Sequence, residues 1–230
     1  MVAAGVSGRF QGFTPAATQF FTDLAANQER AWFNDHKAQY EREVKAPMGA
    51  LIDDLAAELG RRGIPITGDA KRGLFRIHRD VRFTHDKAPY KTHAGAVLTR
   101  DGRKATPGLL YFHLDPTGSF MAAGFYHADP SELARLRDGV AYGPKEFAAL
   151  EAHLAAHGLA LSRDETLIRL PRGYDAVADS PHVWAIKLRN FVTTRPVPQE
   201  LLASAALVGH IADFAAVTLP LLEWGWDALS

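Results

Sequence analysis

Residues 109–126 read LLYFHLDPTGSFMAAGFY, two apolar and aromatic runs around Asp115-Pro116-Thr117-Gly118. Those four are turn-forming types: proline presets one backbone angle, Asp and Thr bond back to nearby amides, and glycine accepts angles other residues avoid. The stretch reads as a β-hairpin with strands near 108–114 and 119–126. Two further β-like runs precede it, near 74–84 and 94–99, with no helical pattern between them. Consecutive strands without intervening helices imply an antiparallel sheet, one face of which stays wet.

Helical patterns lie on either side. Thr14-Pro15 is a helix start, since Thr caps free amides and proline at the first position gives up no hydrogen bond. Phe20, Phe21 and Leu24 follow at the spacing of a buried stripe. Asn34-Asp35 is expected to open a second helix that closes at Gly60, with Pro47 kinking or splitting it. After the hairpin, Ser131 is expected to cap a helix, Gly143-Pro144 to start another and Ser180-Pro181 a third, with short strands at 166–170 and 190–194. An apolar terminal helix from about Pro198 is expected to pack across the sheet. Trp224 and Trp226 are expected to finish the core.

The prediction is a single α+β domain over 1–230. It is helical over 1–60, holds the sheet and a basic motif over 64–127, and is mostly helical over 130–230. Five to seven strands are expected, with helices mainly on one face. A chain of 230 residues buries about 70% of its unfolded surface and needs no staples. Cysteine is absent, which excludes disulfides, thiolate metal sites and a cysteine nucleophile. The opening residues show no leader pattern, and the apolar stretch Leu201–Leu222 is broken by His210, Asp213 and Pro220. No membrane partner is expected, and a cytoplasmic location is.

Basic and acidic residues balance at 26 each, but residues 71–104 carry ten basic and three acidic side chains. A local field of one sign favours an anionic partner. Its centre is RIHRDVRF, residues 76–83. If this is a strand, Phe75, Ile77, Arg79, Val81 and Phe83 share one face, and Arg76, His78, Asp80 and Arg82 the other. Arg79 would then point into the core and require a carboxylate partner or a bulge. Asp53, Asp54, Asp115 and Glu165 are the partners considered. The opposite row suits a phosphate or carboxylate, because a guanidinium fork matches two anion oxygens. Lys87, Tyr90, Lys91 and His93 extend the donor supply along the following loop.

Arg76-x-x-Arg79-Asp80-x-Arg82-Phe83-x-x-Asp86-Lys87-x-x-Tyr90 resembles the signature of a widespread bacterial family of about this length, a domain of unknown function (DUF2461). The resemblance is nearly full-length. It extends to Trp32-Phe33, the hairpin, Pro171–Asp175 and Lys187–Phe191, although Ala122-Ala123 stands where a more glycine-rich pair is expected. It implies a fold and a place for the site, not a reaction.

The expected function is binding, with turnover left open, of a small phosphorylated or carboxylated ligand. Arg76, His78, Arg79, Arg82, Lys87 and Lys91 are the candidate ligands. Tyr90 would orient the anion, and Asp80 is the nearby candidate general base. Arg172 and Tyr174, on a loop, are candidates to close over the row. Lys187 and Arg189 are more simply cations at a helix end. No cofactor is expected. No metal is expected either: among ten histidines the best case, His78-x-Asp80 with His93, His113 or His127, lacks a ligand-type spacing and sits among arginines. Serine-hydrolase, phosphate-loop and dinucleotide motifs are absent. The alternatives are a structural ion-pair network in an interaction domain, and nucleic-acid binding by the 71–104 segment.

Overall fold

A computed structural model describes residues 9–82 and 85–230. The first eight residues, where a leader pattern was sought, lie outside it, as does Phe83 of the arginine run. The hairpin forms where the alternation places it. β1 (Ala94–Thr99), β2 (Leu109–Leu114) and β3 (Phe120–Phe125) make an antiparallel meander, and β4 (Phe191–Pro196) pairs antiparallel with β3, giving the order β1-β2-β3-β4. The turn is built as its residue types require: Asp115 Oδ1 accepts from the Thr117 amide at 2.7 Å and the Thr117 hydroxyl at 2.6 Å.

Period-two alternation gives the sheet two different faces. Ala96, Leu110, Phe112, Met121, Ala123 and Phe191 point to one side and are buried. The helices cover this side. They are α1 (Pro15–Ala26), α2 (Arg30–Asp35), α3 (Ala46–Arg61), α4 (Pro130–Tyr142), α5 (Pro144–Ala156) and α6 (Ala206–Ala228). α6 is long and apolar enough to cross a membrane by composition, but it lies across β3 and α3 with Ile211, Phe214, Ala215, Leu221 and Leu222 in the core. The protein is thus a single α+β domain with an antiparallel sheet and helices on one face, as expected.

Several local expectations are corrected. The described residues contain four strands rather than five to seven. Segment 74–82 is not a strand: its β-pairing is limited to the isolated bridges Leu74 with Ala96 and His78 with Tyr90. Without a ladder there is no strict alternation, so Phe75 and Arg79 are half-exposed while Ile77 is buried. Segment 166–170 likewise makes one bridge, Thr166 with Leu188.

Among the helices, the second begins at Arg30 rather than Asn34. Pro47 is accommodated by a π-helical turn over Tyr40–Lys45, in which the Ala46 amide reaches back to Glu41 O. A proline has no amide to donate, and a widened turn just before it is one solution. Thr14 precedes α1 but bonds Glu43 Oε2 at 2.8 Å instead of capping. α4 is capped by Asp129, not Ser131, because Pro130 occupies the first position and Asp129 with Glu132 forms a capping box. Only one turn, Val183–Ile186, forms after Ser180, so Lys187 and Arg189 lie at or beyond its end. The terminal segment is a short turn, Gln199–Leu202, followed by α6. Trp224 and Trp226 pack against the core, and the Trp226 indole donates to Pro107 O at 2.9 Å.

Candidate functional site

The second face of the sheet is uncovered by helix and forms the floor of a cavity of about 500 Å³. Val97, Leu109, Ala122 and Val192 supply apolar floor, with Tyr111, His113 and Phe120 standing among them. Gly95 makes room for the Tyr111 ring, since a Cβ there would lie 2.5 Å from its hydroxyl. One wall is the segment leading into β1, tied to the sheet by the Phe75 amide donating to Gly95 O at 2.9 Å. The other wall is 162–165, held along β4 by the Ser162 amide donating to Val192 O at 2.8 Å. It brings in Asp164 and Glu165. Glu165 accepts from Asn190 Nδ2 at 2.8 Å and Asp164 from the Ser162 hydroxyl at 2.7 Å, so both are committed.

Two groups give the cavity its chemistry. The first is a set of cations around Phe75. Lys91 Nζ lies 5.4 Å and Lys104 Nζ 4.5 Å from its ring centroid. Burial, then the charge of Arg76, holds the Lys91 pKa below the usual lysine range. Burial, then the charge of Lys91, does the same to Lys104. Among the described residues no carboxylate forms a salt bridge with Lys91 or Lys104, whose Nζ donates to Leu74 O at 2.6 Å, whereas the exposed Arg76 shares its charge with Asp80.

The second group is His93, His113 and Asp115, with the two imidazole centroids 4.4 Å apart. Burial, then the proximity of His113 and Lys91, pushes the His93 pKa down to about 4. Burial also lowers His113, against the opposing effect of Asp115. Tyr111 Oη and His113 Nδ1 share a hydrogen bond of 2.9 Å, and burial raises the Tyr111 pKa to about 12. Two neutral imidazoles and a phenol therefore face the cavity at neutral pH.

The signature residues occupy a loop pinched by the Arg79 amide on Pro89 O at 2.9 Å and the Lys91 amide on Ile77 O at 2.8 Å. Their charges meet one another. Arg79 Nη1 bonds Asp86 Oδ2 at 2.6 Å, so its partner is a loop neighbour and none of Asp53, Asp54, Asp115 or Glu165. Arg82 bonds Asp80 through Nε at 2.9 Å and Nη2 at 2.7 Å, which holds the Asp80 carboxyl below its usual range. Lys87 Nζ donates to Val81 O at 2.9 Å. Tyr90 is buried and stacked on Phe33, ring centroids 4.5 Å apart, while His78 is exposed. The Tyr174 hydroxyl donates to Asp138 Oδ1 at 2.8 Å and so anchors its loop to α4, with Arg172 exposed beside it. Of all these candidates, Lys91 alone lines the cavity, and the charge of Arg76 reaches it there. Sequence reasoning passes over Lys104, Tyr111 and Asp115 as site residues, although the alternation of Tyr111 and His113 with Leu110, Phe112 and Leu114 already sets the polar pair on one face.

Arg79 is partly solvated and its partner more so, with side-chain exposures of 30% and 63%. Exposed pairs contribute little. Arg79→Met should therefore shift the thermal midpoint by no more than about 3 °C. A much larger fall in a circular-dichroism melt would show that the pair holds the fold.

Neither a curated protein nor a solved structure matches the chain. A family model described as "Conserved hypothetical protein (DUF2461)" matches residues 16–224. With nearly the whole domain inside that match, sheet and cavity included, the chain belongs to the DUF2461 family.

Proposed function

We propose that the protein binds a small molecule with a phosphate or carboxylate at one end and an apolar or planar body, in the cavity on the open sheet face. One observation carries this reading: Lys91, half-buried in the cavity wall, and Lys104 both stand over the ring of Phe75, and among the described residues neither has a salt bridge to a carboxylate. Like charges kept close in a partly dry site cost free energy, and an anion relieves that cost. The ligand body would lie on Val97, Leu109 and Ala122, flanked by Tyr111 and Phe120. The cytoplasm, where such metabolites are held, is the proposed location, and recovery in a membrane fraction would contradict it.

The test is calorimetric binding of inorganic phosphate and a panel of phosphorylated and carboxylated metabolites, with a chelator present. Lys91→Met and Arg76→Met should each weaken a bound ligand by roughly ten- to a hundredfold, the value of a charge-assisted hydrogen bond. Arg82→Met should change little, because Asp80 already engages that guanidinium. Equal affinity in all three variants would sink the reading. Salt separates it from the nucleic-acid alternative, since polyanion binding falls by roughly a thousandfold or more between 50 and 200 mM salt when many phosphates are contacted.

A further inference from the structure

We propose that His93, His113 and Asp115 hold a first-row divalent metal ion, zinc or a close chemical relative, whose remaining coordination positions open into the cavity. One ligand-type atom from each residue lies within 4.8 Å of the other two. Ligand atoms around a tetrahedral ion at about 2.1 Å stand roughly 3.4 Å apart, so the three close on an ion with side-chain movements of about an ångström.

The surroundings have already assigned the atoms. Asp115 Oδ1 is used by Thr117, which leaves Oδ2, and this oxygen lies 3.7 Å from His113 Nε2. His113 Nδ1 is engaged by Tyr111, so Nε2 is the nitrogen that remains. With Nε2 on the ion, Nδ1–H donates to the Tyr111 oxygen, the outer-shell hydrogen bond that fixes the ring orientation of metal-bound histidines. The ring of His113 is further fixed by stacking on Phe120 with centroids 4.6 Å apart. His93 enters from the residue before β1 and His113 from the facing strand, so the sheet register sets their separation. Both histidines line the cavity, so water or a ligand there has access to the ion. The Lys91 ammonium opposes a cation here and the Asp115 carboxylate offsets it. Two imidazoles and one carboxylate suit zinc, iron(II) or cobalt(II) rather than magnesium or calcium. The trio differs from the His78-x-Asp80 pair considered from sequence, because Asp80 is bonded to Arg82.

The metal site does not rest on the anion reading. It is tested with the full chain, stripped by chelator and titrated with Co²⁺ in a buffer free of phosphate and carboxylate. The expected result is one ion per chain with visible absorption bands of low-coordinate Co²⁺, displaced by Zn²⁺. His93→Gln and His113→Gln should each weaken binding by more than the roughly ten- to a hundredfold expected for Tyr111→Phe, which removes only the outer-shell partner. Asp115→Asn keeps the turn and should also weaken binding, whereas His157→Gln, on an exposed ring, should not. If His113→Gln fails to fold by circular dichroism, His93→Gln carries the test. Absence of saturable binding, or equal affinity in the wild type and His93→Gln, overturns the proposal. Because the anion measurement contains chelator and this one contains no anionic ligand, either proposal fails without the other.

Discussion

Gly124→Ala should lower the thermal midpoint by about 10 °C or more, the effect of roughly 3–5 kcal/mol in a chain of this size. Gly124 lies within β3 opposite Val192 of β4, and its φ of +132° is a conformation that residues with a Cβ rarely adopt. A Cβ there would also land on the Phe191 carbonyl oxygen, far inside contact distance. That oxygen belongs to the backbone of the paired strand, so no side-chain rotation relieves the clash. β3 and β4 would have to separate, and with them the sheet that carries the cavity floor. A circular-dichroism melt reads the result directly, and a midpoint within about 3 °C of wild type would show that the strand pair deforms cheaply.

Phe112→Ala should cost about 3–5 kcal/mol, whereas His113→Ala, one residue along, should cost only about 1–2 kcal/mol. Phe112 is 1% exposed on the helix-covered face and stacked on Phe13 with ring centroids 6.0 Å apart. Removing its ring leaves a void that close-packed neighbours fill only in part. His113 points the other way, into the cavity, where it would forfeit the Tyr111 hydrogen bond and the Phe120 stack but leave no sealed void. The pair is compared by urea denaturation with a common m-value. Equal losses would mean that the open face is packed as tightly as the core, which would leave little room for a ligand.

The arginine run shows how a strong local signal misleads. Alternating apolar and charged residues from Phe75 to Arg82 fit a strand, but a strand needs a partner ladder, and this segment obtains only isolated bridges. The inward charge expected at Arg79 is relieved by neither a buried carboxylate nor a bulge. The chain leaves the sheet, and Asp86 comes round to meet the guanidinium. Nothing in the spacing of Arg79 and Asp86 announces that pairing, because it depends on where Pro89 and Ile77 pin the loop.

What the amino-acid order determined by itself was local and periodic. The Asp115–Gly118 turn, the register of Leu110, Phe112 and Leu114 against the core, the helix starts at Pro15 and Pro144 and the apolar terminal helix all follow from residue type and spacing within a few turns of chain. The α+β class followed from their order. The site was decided by tertiary structure alone, because its parts lie far apart in the chain: Lys91 and Lys104 over Phe75, His93 against His113 across two strands, and the 162–165 wall beside β4. Alternation tells which face of a strand a residue occupies, but only the packing of helices on one side of the sheet decides which face remains open.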